Sequence, residues 1–138
     1  MSRVINPDSA GKTRNRLTRS IILAIRHLMQ QPEPNQEARD LAAFIALALL
    51  EIHDTVDVSV QAWEKRGYWV KADRFRMDGE WTGQVGRQLR DALLQENWSE
   101  IPALAAKIVQ HWGNITIPER HRLGTPWVGA WKTLKESA

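Results

Sequence analysis

The chain has 138 residues, a net charge of +3 from 19 Lys and Arg against 16 Asp and Glu, and no cysteine. That length suits one ordinary domain with a core of its own, and the lack of thiols excludes disulfides, thiolate zinc sites and reactive-cysteine chemistry. The opening residues lack the apolar stretch of a secretory signal, and the longest apolar run, Leu41 to Leu50, is about half of the roughly 20 residues a bilayer span needs. A cytoplasmic protein without membrane contact is expected.

Residues 1–12 include Pro7 and Gly11, show no periodicity and read as a flexible tail, which leaves 13–138 as a single helical domain. From Thr13, a candidate N-cap, Leu17, Ile21, Ala24, Ile25 and Leu28 recur at helical spacing and Arg16, Arg19 and Arg26 fall on the other side. Pro32 and Pro34 stop this helix, Asn35 can cap the next, and the two should pack as an antiparallel pair.

The stretch from Gln36 to Met77 organises the rest of the chain. Leu41, Ile45, Ala48, Ile52, Ser59 and Trp63 keep a three-four spacing, so most of it can wind as helix. One unbroken helix of 42 residues would be about 63 Å long, against a diameter of roughly 37 Å for a compact chain of this size. The helix therefore breaks, or it projects into a partner. Gly67 is one candidate break, and the run Thr55 to Val60, poor in helix formers, is the other. Thr55 to Val60 also alternates with period two and could pair with Ile115 to Ile117 as strands, although an isolated pair of strands is marginal.

After a turn expected at Asp78-Gly79, Val85, Leu89, Ala92 and Leu93 describe a third helix to about Asn97. Ser99 is the candidate cap of a fourth, with Ile101, Leu104, Ala105, Ile108, Val109 and Trp112 on one stripe and Trp98 placed to staple against Ala103. Thr125-Pro126 reads as cap and first residue of a short last helix whose inward face is Trp127, Trp131 and Leu134. The expectation is an all-α bundle of four to five helices with a long, possibly broken central helix.

Catalytic signals are sparse. His53-Asp54 at the end of an apolar helix, with His27 upstream, resembles the HD-type metal phosphohydrolases over three residues, and that resemblance would ask Asp91 to complete a metal site. A polar helix face with a partly exposed histidine accounts for the same residues and is preferred. Glu51, Asp54 and Asp57 stand three apart, so neighbours in the row are adjacent on a helix; ion pairs to Arg16, Arg19 or Arg26 are the expected fate. A metal-dependent hydrolase on this patch is the third-ranked reading. Neither a nucleophile elbow nor a phosphate-binding glycine loop with its lysine occurs, and Gly79, Gly83 and Gly86 suggest a turn and a close helix contact. No metal, cofactor or catalytic group is assigned.

Binding signals are stronger. The chain holds seven tryptophans against one tyrosine and two phenylalanines. From Trp63 to Arg76, Lys65, Arg66, Lys71, Arg74 and Arg76 interleave with Tyr68, Trp69 and Phe75. Cations beside stackable rings are what single-stranded nucleic acid binding uses. In the bland alternative the rings are core and the cations pair with Glu64, Asp73, Asp78 and Glu80. A second cluster, Lys12, Arg14, Arg16 and Arg19, has no acidic residue between Ala10 and Gln30. The residues expected to contact RNA or DNA are Arg14, Arg16, Arg19, Arg66, Trp69, Lys71 and Arg74. The function expected is a non-catalytic small subunit or adaptor with this surface; the alternative is a protein-interaction module that self-associates, as a homodimer, through the central helix.

Overall fold

The computed structural model describes residues 7–137. Helix α1 (Pro7–Met29) turns Leu17, Ile21, Ala24 and Ile25 inward, as their spacing requires. It begins well ahead of Thr13, at Pro7, where a proline loses no helical hydrogen bond. Residues 7–12 of the expected tail are therefore helical, and residues 1–6 lie outside the described residues. Pro32 and Pro34 fall in the connection that follows. Asn35 then caps helix α2 (Gln36–Lys65), its Oδ1 accepting the Ala38 N–H at 2.8 Å. The pair is antiparallel, since Arg14 in the first half of α1 reaches Thr55 and Ser59 in the second half of α2.

The central stretch breaks once, at Gly67. Gly67 has φ +81°, a conformation that costs glycine little. The Tyr68 N–H donates to the Trp63 carbonyl at 2.9 Å and the Gly67 N–H to that of Glu64 at 3.0 Å, which closes the end of α2 in a Schellman turn. Helix α3 (Trp69–Leu94) starts two residues later and returns along α2. Thr55 to Val60 stays helical within α2, with the buried Thr55 hydroxyl donating to the Ile52 carbonyl at 2.6 Å. Among the described residues there is no strand.

Asp78-Gly79 is not a turn; it lies inside α3, which begins at Trp69, well ahead of the apolar stripe that opens at Val85. The reason is contact with α2. A Cβ on Gly79 would sit 2.8 Å from Val56 Cγ2, one on Gly83 3.0 Å from the His53 ring, and one on Gly86 3.1 Å from Leu50. Three glycines at spacings of four and three make one face of α3 flat enough for α2 to lie against it.

The end of α3 repeats the Schellman pattern, with Asn97 N–H to Ala92 carbonyl at 2.8 Å, but Glu96 takes the left-handed position at φ 57°. Its carboxylate is held by Arg39 at 2.6 Å and by the Trp98 indole N–H at 3.2 Å. The left-handed Glu96 is where the chain leaves the third helix, which ends at Leu94 rather than near Asn97. A 3-10 turn (Trp98–Glu100) leads into helix α4 (Ile101–Trp112), whose cap residue is Glu100; Ser99 instead donates its hydroxyl to Asn97 Oδ1. The expected cap at Thr125-Pro126 is likewise displaced, because helix α5 (Ala130–Ser137) starts after Gly129. Asp40, far away on α2, accepts the Trp131 N–H at 3.0 Å and the Gly129 N–H at 3.4 Å there. Trp127 and Leu134 are buried and Trp131 partly so, which gives the last segment its inward face.

The core lies around α2. It packs against α1, α3 and α5, and residues from all five helices and Trp127 meet there. Leu41, Ile45, Leu49 and Ile52 are fully buried along its length. With the break at Gly67, α2 has 30 residues, and three neighbours cover its stripe. The break shortens the helix from about 63 Å to about 45 Å, still above the roughly 37 Å diameter of a compact chain of this size, so the length mismatch that motivated self-association through this helix is reduced.

The glycine seam makes a direct prediction. Gly79→Ala gains about 1 kcal/mol of helix propensity, yet overpacking against the stiff, buried Val56 should cost about 1–3 kcal/mol, so a net loss of stability is expected in urea unfolding. In the Val56→Ala background the same substitution should become stabilising, and additive effects in that cycle would show that the two residues do not compete for one space.

Candidate nucleic-acid interface

Closing α2 at Gly67 brings four of the sequence-predicted residues to one tip: Arg66 is the C-cap of α2, Trp69 opens α3, and Lys71 and Arg74 follow within its first turns. Trp69 is 60% exposed, so it is not core. Tyr68, at 56%, stands beside it. Gly67, Tyr68, Trp69, Val70, Lys71 and Arg74 line an open, mostly apolar depression of 530 Å³ at the hairpin end.

The other rings of this segment do belong to a core. Trp63 and Phe75 meet edge to face, with centroids 4.9 Å apart, over a small cluster of Val56, Val60 and Ala72. Lys71 Nζ lies over the Trp63 ring at 4.5 Å, which fixes the lysine stem while its ammonium stays exposed. This small core anchors the tip to the bundle. A charge balance is also visible here: Arg76 takes Asp73 at 2.7 Å and Glu64 at 3.2 Å. Those two carboxylates, Glu64 first, hold Arg76 charged and raise its pKa. Two of the acids expected to dilute the field are thus engaged by one arginine. Among the described residues, Lys65, Arg66 and Arg74 make no ion pair.

The α1 arginines are placed differently. Arg14 turns into the body of the protein, donating to Thr55 Oγ1 at 3.2 Å and Ser59 Oγ at 3.5 Å with its guanidinium 4.7 Å from the Phe75 ring centre. Arg16 and Arg19 follow by two and five residues, which at about 100° per residue puts them on the opposite, exposed side of α1. Arg14 and the pair Arg16 and Arg19 therefore do not share one surface. The expected ion pairs from Arg16, Arg19 or Arg26 to Asp54 or Asp57 of α2 do not form among the described residues. Burial, and less so the neighbours Asp57 and Glu51, pushes the Asp54 carboxyl above its usual pKa, while His53 opposes the shift.

The acidic and histidine residues do not converge. His27 packs on Trp127 with centroids 4.9 Å apart, His53 faces Gly83 across the α2–α3 seam, and Asp91 lies beside Arg90. Among the described residues no three His, Asp or Glu form a group that could hold a metal. No described helix is long and apolar enough to cross a membrane.

Sequence reasoning had left Tyr68 and Lys65 out of the contact set, although both stand at the tip and are exposed. The available signal was Gly67: a left-handed closure of two helices has to lie at a surface, and it carries its neighbours with it. The chain matches no protein-family model, and neither a curated protein nor a solved structure shows significant similarity to it.

Exposure separates the tryptophans experimentally. Trp69→Ala should leave the melting temperature nearly unchanged, within about 0.5 kcal/mol for a surface site. Trp127→Ala, at 4% exposure, should cost about 3–5 kcal/mol as a large-to-small core change. Comparable losses for the two in thermal unfolding would mean that Trp69 is packed.

Proposed function

We propose that this chain is a non-catalytic helical module of the cytoplasm that binds single-stranded RNA or DNA through the α2–α3 tip. The observation that carries the proposal is an exposed Trp69 set among Arg66, Lys71 and Arg74 on a rigid helical closure. Each residue type has its own task. The cations neutralise phosphates and release counterions, while the indole and the Tyr68 ring offer faces on which bases stack without regard to sequence. Placement on helix ends keeps the group preorganised, so less conformational entropy is lost on binding. Arg16 and Arg19 lie on a separate face and would add a non-specific attraction.

One observation favours a protein partner instead. An apolar groove of 280 Å³ between the α1–α2 connection and α4 is lined by Leu28, Met29, Trp98, Ile101 and Ala105, and Met29 is 78% exposed beside it. An adaptor could use both surfaces at once, the tip for the strand and the groove for a protein.

The salt dependence of binding to an oligothymidylate or oligouridylate decides between them. Three phosphate contacts from Arg66, Lys71 and Arg74 give a log-log slope near −2, at about −0.7 per contact. Trp69→Ala should weaken binding by about 1–3 kcal/mol with the slope almost intact, because stacking releases no ions. Arg74→Gln should instead flatten the slope by less than one unit and weaken all sequences alike. Absence of salt-sensitive binding at low ionic strength would overturn the nucleic-acid reading and leave the groove as the functional surface.

A further inference from the structure

Among the described residues Arg14 has no counter-ion. Its guanidinium carries five N–H donors, and the two hydrogen bonds it makes both come from Nη1 and go to neutral hydroxyls. No carboxylate of a described residue lies within ion-pair distance. The group is half-buried, and that burial pulls its pKa below the usual arginine value. Taking a cation even partly out of water without an anion is unfavourable, and an anion placed beside it would offset that cost.

The surroundings define what the anion would be attached to. Arg14 borders a cleft of 320 Å³ between α1, α2, α3 and α4, walled by the rings of Phe75, Trp81 and Trp112. Phe75 lies under the guanidinium. Trp81 is fixed on two sides, stacked flat on His111 at 3.9 Å and meeting Trp112 edge to face at 4.7 Å. These contacts make the aromatic wall preformed rather than collapsible. Asp78 lines the same cleft and sets a limit, because its carboxylate disfavours a multiply charged anion.

We propose that this cleft binds a small molecule consisting of a flat aromatic body and one singly charged oxyanion group, with Arg14 as the anion's partner and Trp81 and Trp112 as the ring's walls. The site is independent of the α2–α3 tip, since it uses neither Trp69 nor the tip cations. The cleft volume suits a single ring with a short acidic arm, and the Nε and Nη2 donors of Arg14, which make no hydrogen bond to a described residue, suit a carboxylate held at two points.

Phenylacetate is the probe, with phenyl phosphate and the uncharged phenylacetamide as comparisons, and binding is read from the indole N–H resonances of Trp81 and Trp112 in a ¹⁵N-labelled sample of the full chain. Phenylacetate should shift both resonances saturably, and phenylacetamide should bind about tenfold or more weaker, the size expected for one charge-assisted contact. A preference for phenyl phosphate, which is mostly a dianion at neutral pH, would overturn the singly charged ligand, and equal binding of acid and amide would overturn the role of Arg14. Arg14→Gln should abolish the preference for the acid while leaving the weak binding of the amide, which also reports that the cleft is still formed. Asp78→Asn, at an exposed position, should tighten phenylacetate binding severalfold. No shift with any probe up to its solubility limit, or an acid preference unchanged in Arg14→Gln, would sink the proposal.

Discussion

The close approach of α2 and α3 is the constraint on which the rest of the structure depends. Gly79, Gly83 and Gly86 put no side chain of their own toward α2, so the side chains of Val56, His53 and Leu50 lie directly against the α3 backbone there. Each glycine weakens an isolated helix by about 1 kcal/mol relative to alanine. That cost is offset by dense packing along the shared face, a term that grows with every atom brought into contact. With α3 held there, α2 is left with two further sides, which α1 and α5 cover. The seam also decides where the chain can turn: an antiparallel return this close requires a short closure, and Gly67 at φ +81° provides it.

From that seam the proposed binding surface follows. A tight closure projects its own residues and those beginning the next helix, which is how Arg66, Tyr68, Trp69, Lys71 and Arg74 come to share one end of the molecule. Trp63 and Phe75, one turn inside, form a second small core that prevents the tip from fraying. Arg76 pairs with both Glu64 and Asp73 and so offsets one of their two negative charges, while Lys65, Arg66, Lys71 and Arg74 outnumber the remainder. The tip is therefore cationic, aromatic and rigid together.

Much of this was legible from local pattern. The apolar spacings of α1 and α4, the stop at Pro32 and Pro34, the Asn35 cap and the candidate break at Gly67 all depend on residues close in sequence. The nucleic-acid candidates Arg66, Trp69, Lys71 and Arg74 also fall within one local stretch, so their grouping survived folding. What could not be read was set at long range. Asp78-Gly79 has the composition of a turn, but its glycine serves contact with Val56 on another helix. Thr125 was the nearest candidate to cap the last helix, whereas Asp40 on α2 supplies the acceptor. Arg14 read as one of a cluster of surface cations until Thr55, Ser59 and Phe75, all remote in sequence, drew it inward. Left-handed Glu96 has the same origin, since only Arg39 and Trp98 explain a carboxylate where glycine is usual.

The central claim is that the glycine-seamed hairpin exists to present its closure as a binding surface. Titrating ¹⁵N-labelled protein with a short oligothymidylate at low salt and mapping the amide shifts tests it most directly. The account predicts perturbations confined to residues 65–74, including the indole N–H of Trp69, with α4 and α5 silent. Shifts centred on the groove beside Met29 and Trp98, or on the exposed side of α1 around Arg16 and Arg19 with the closure unaffected, would contradict it.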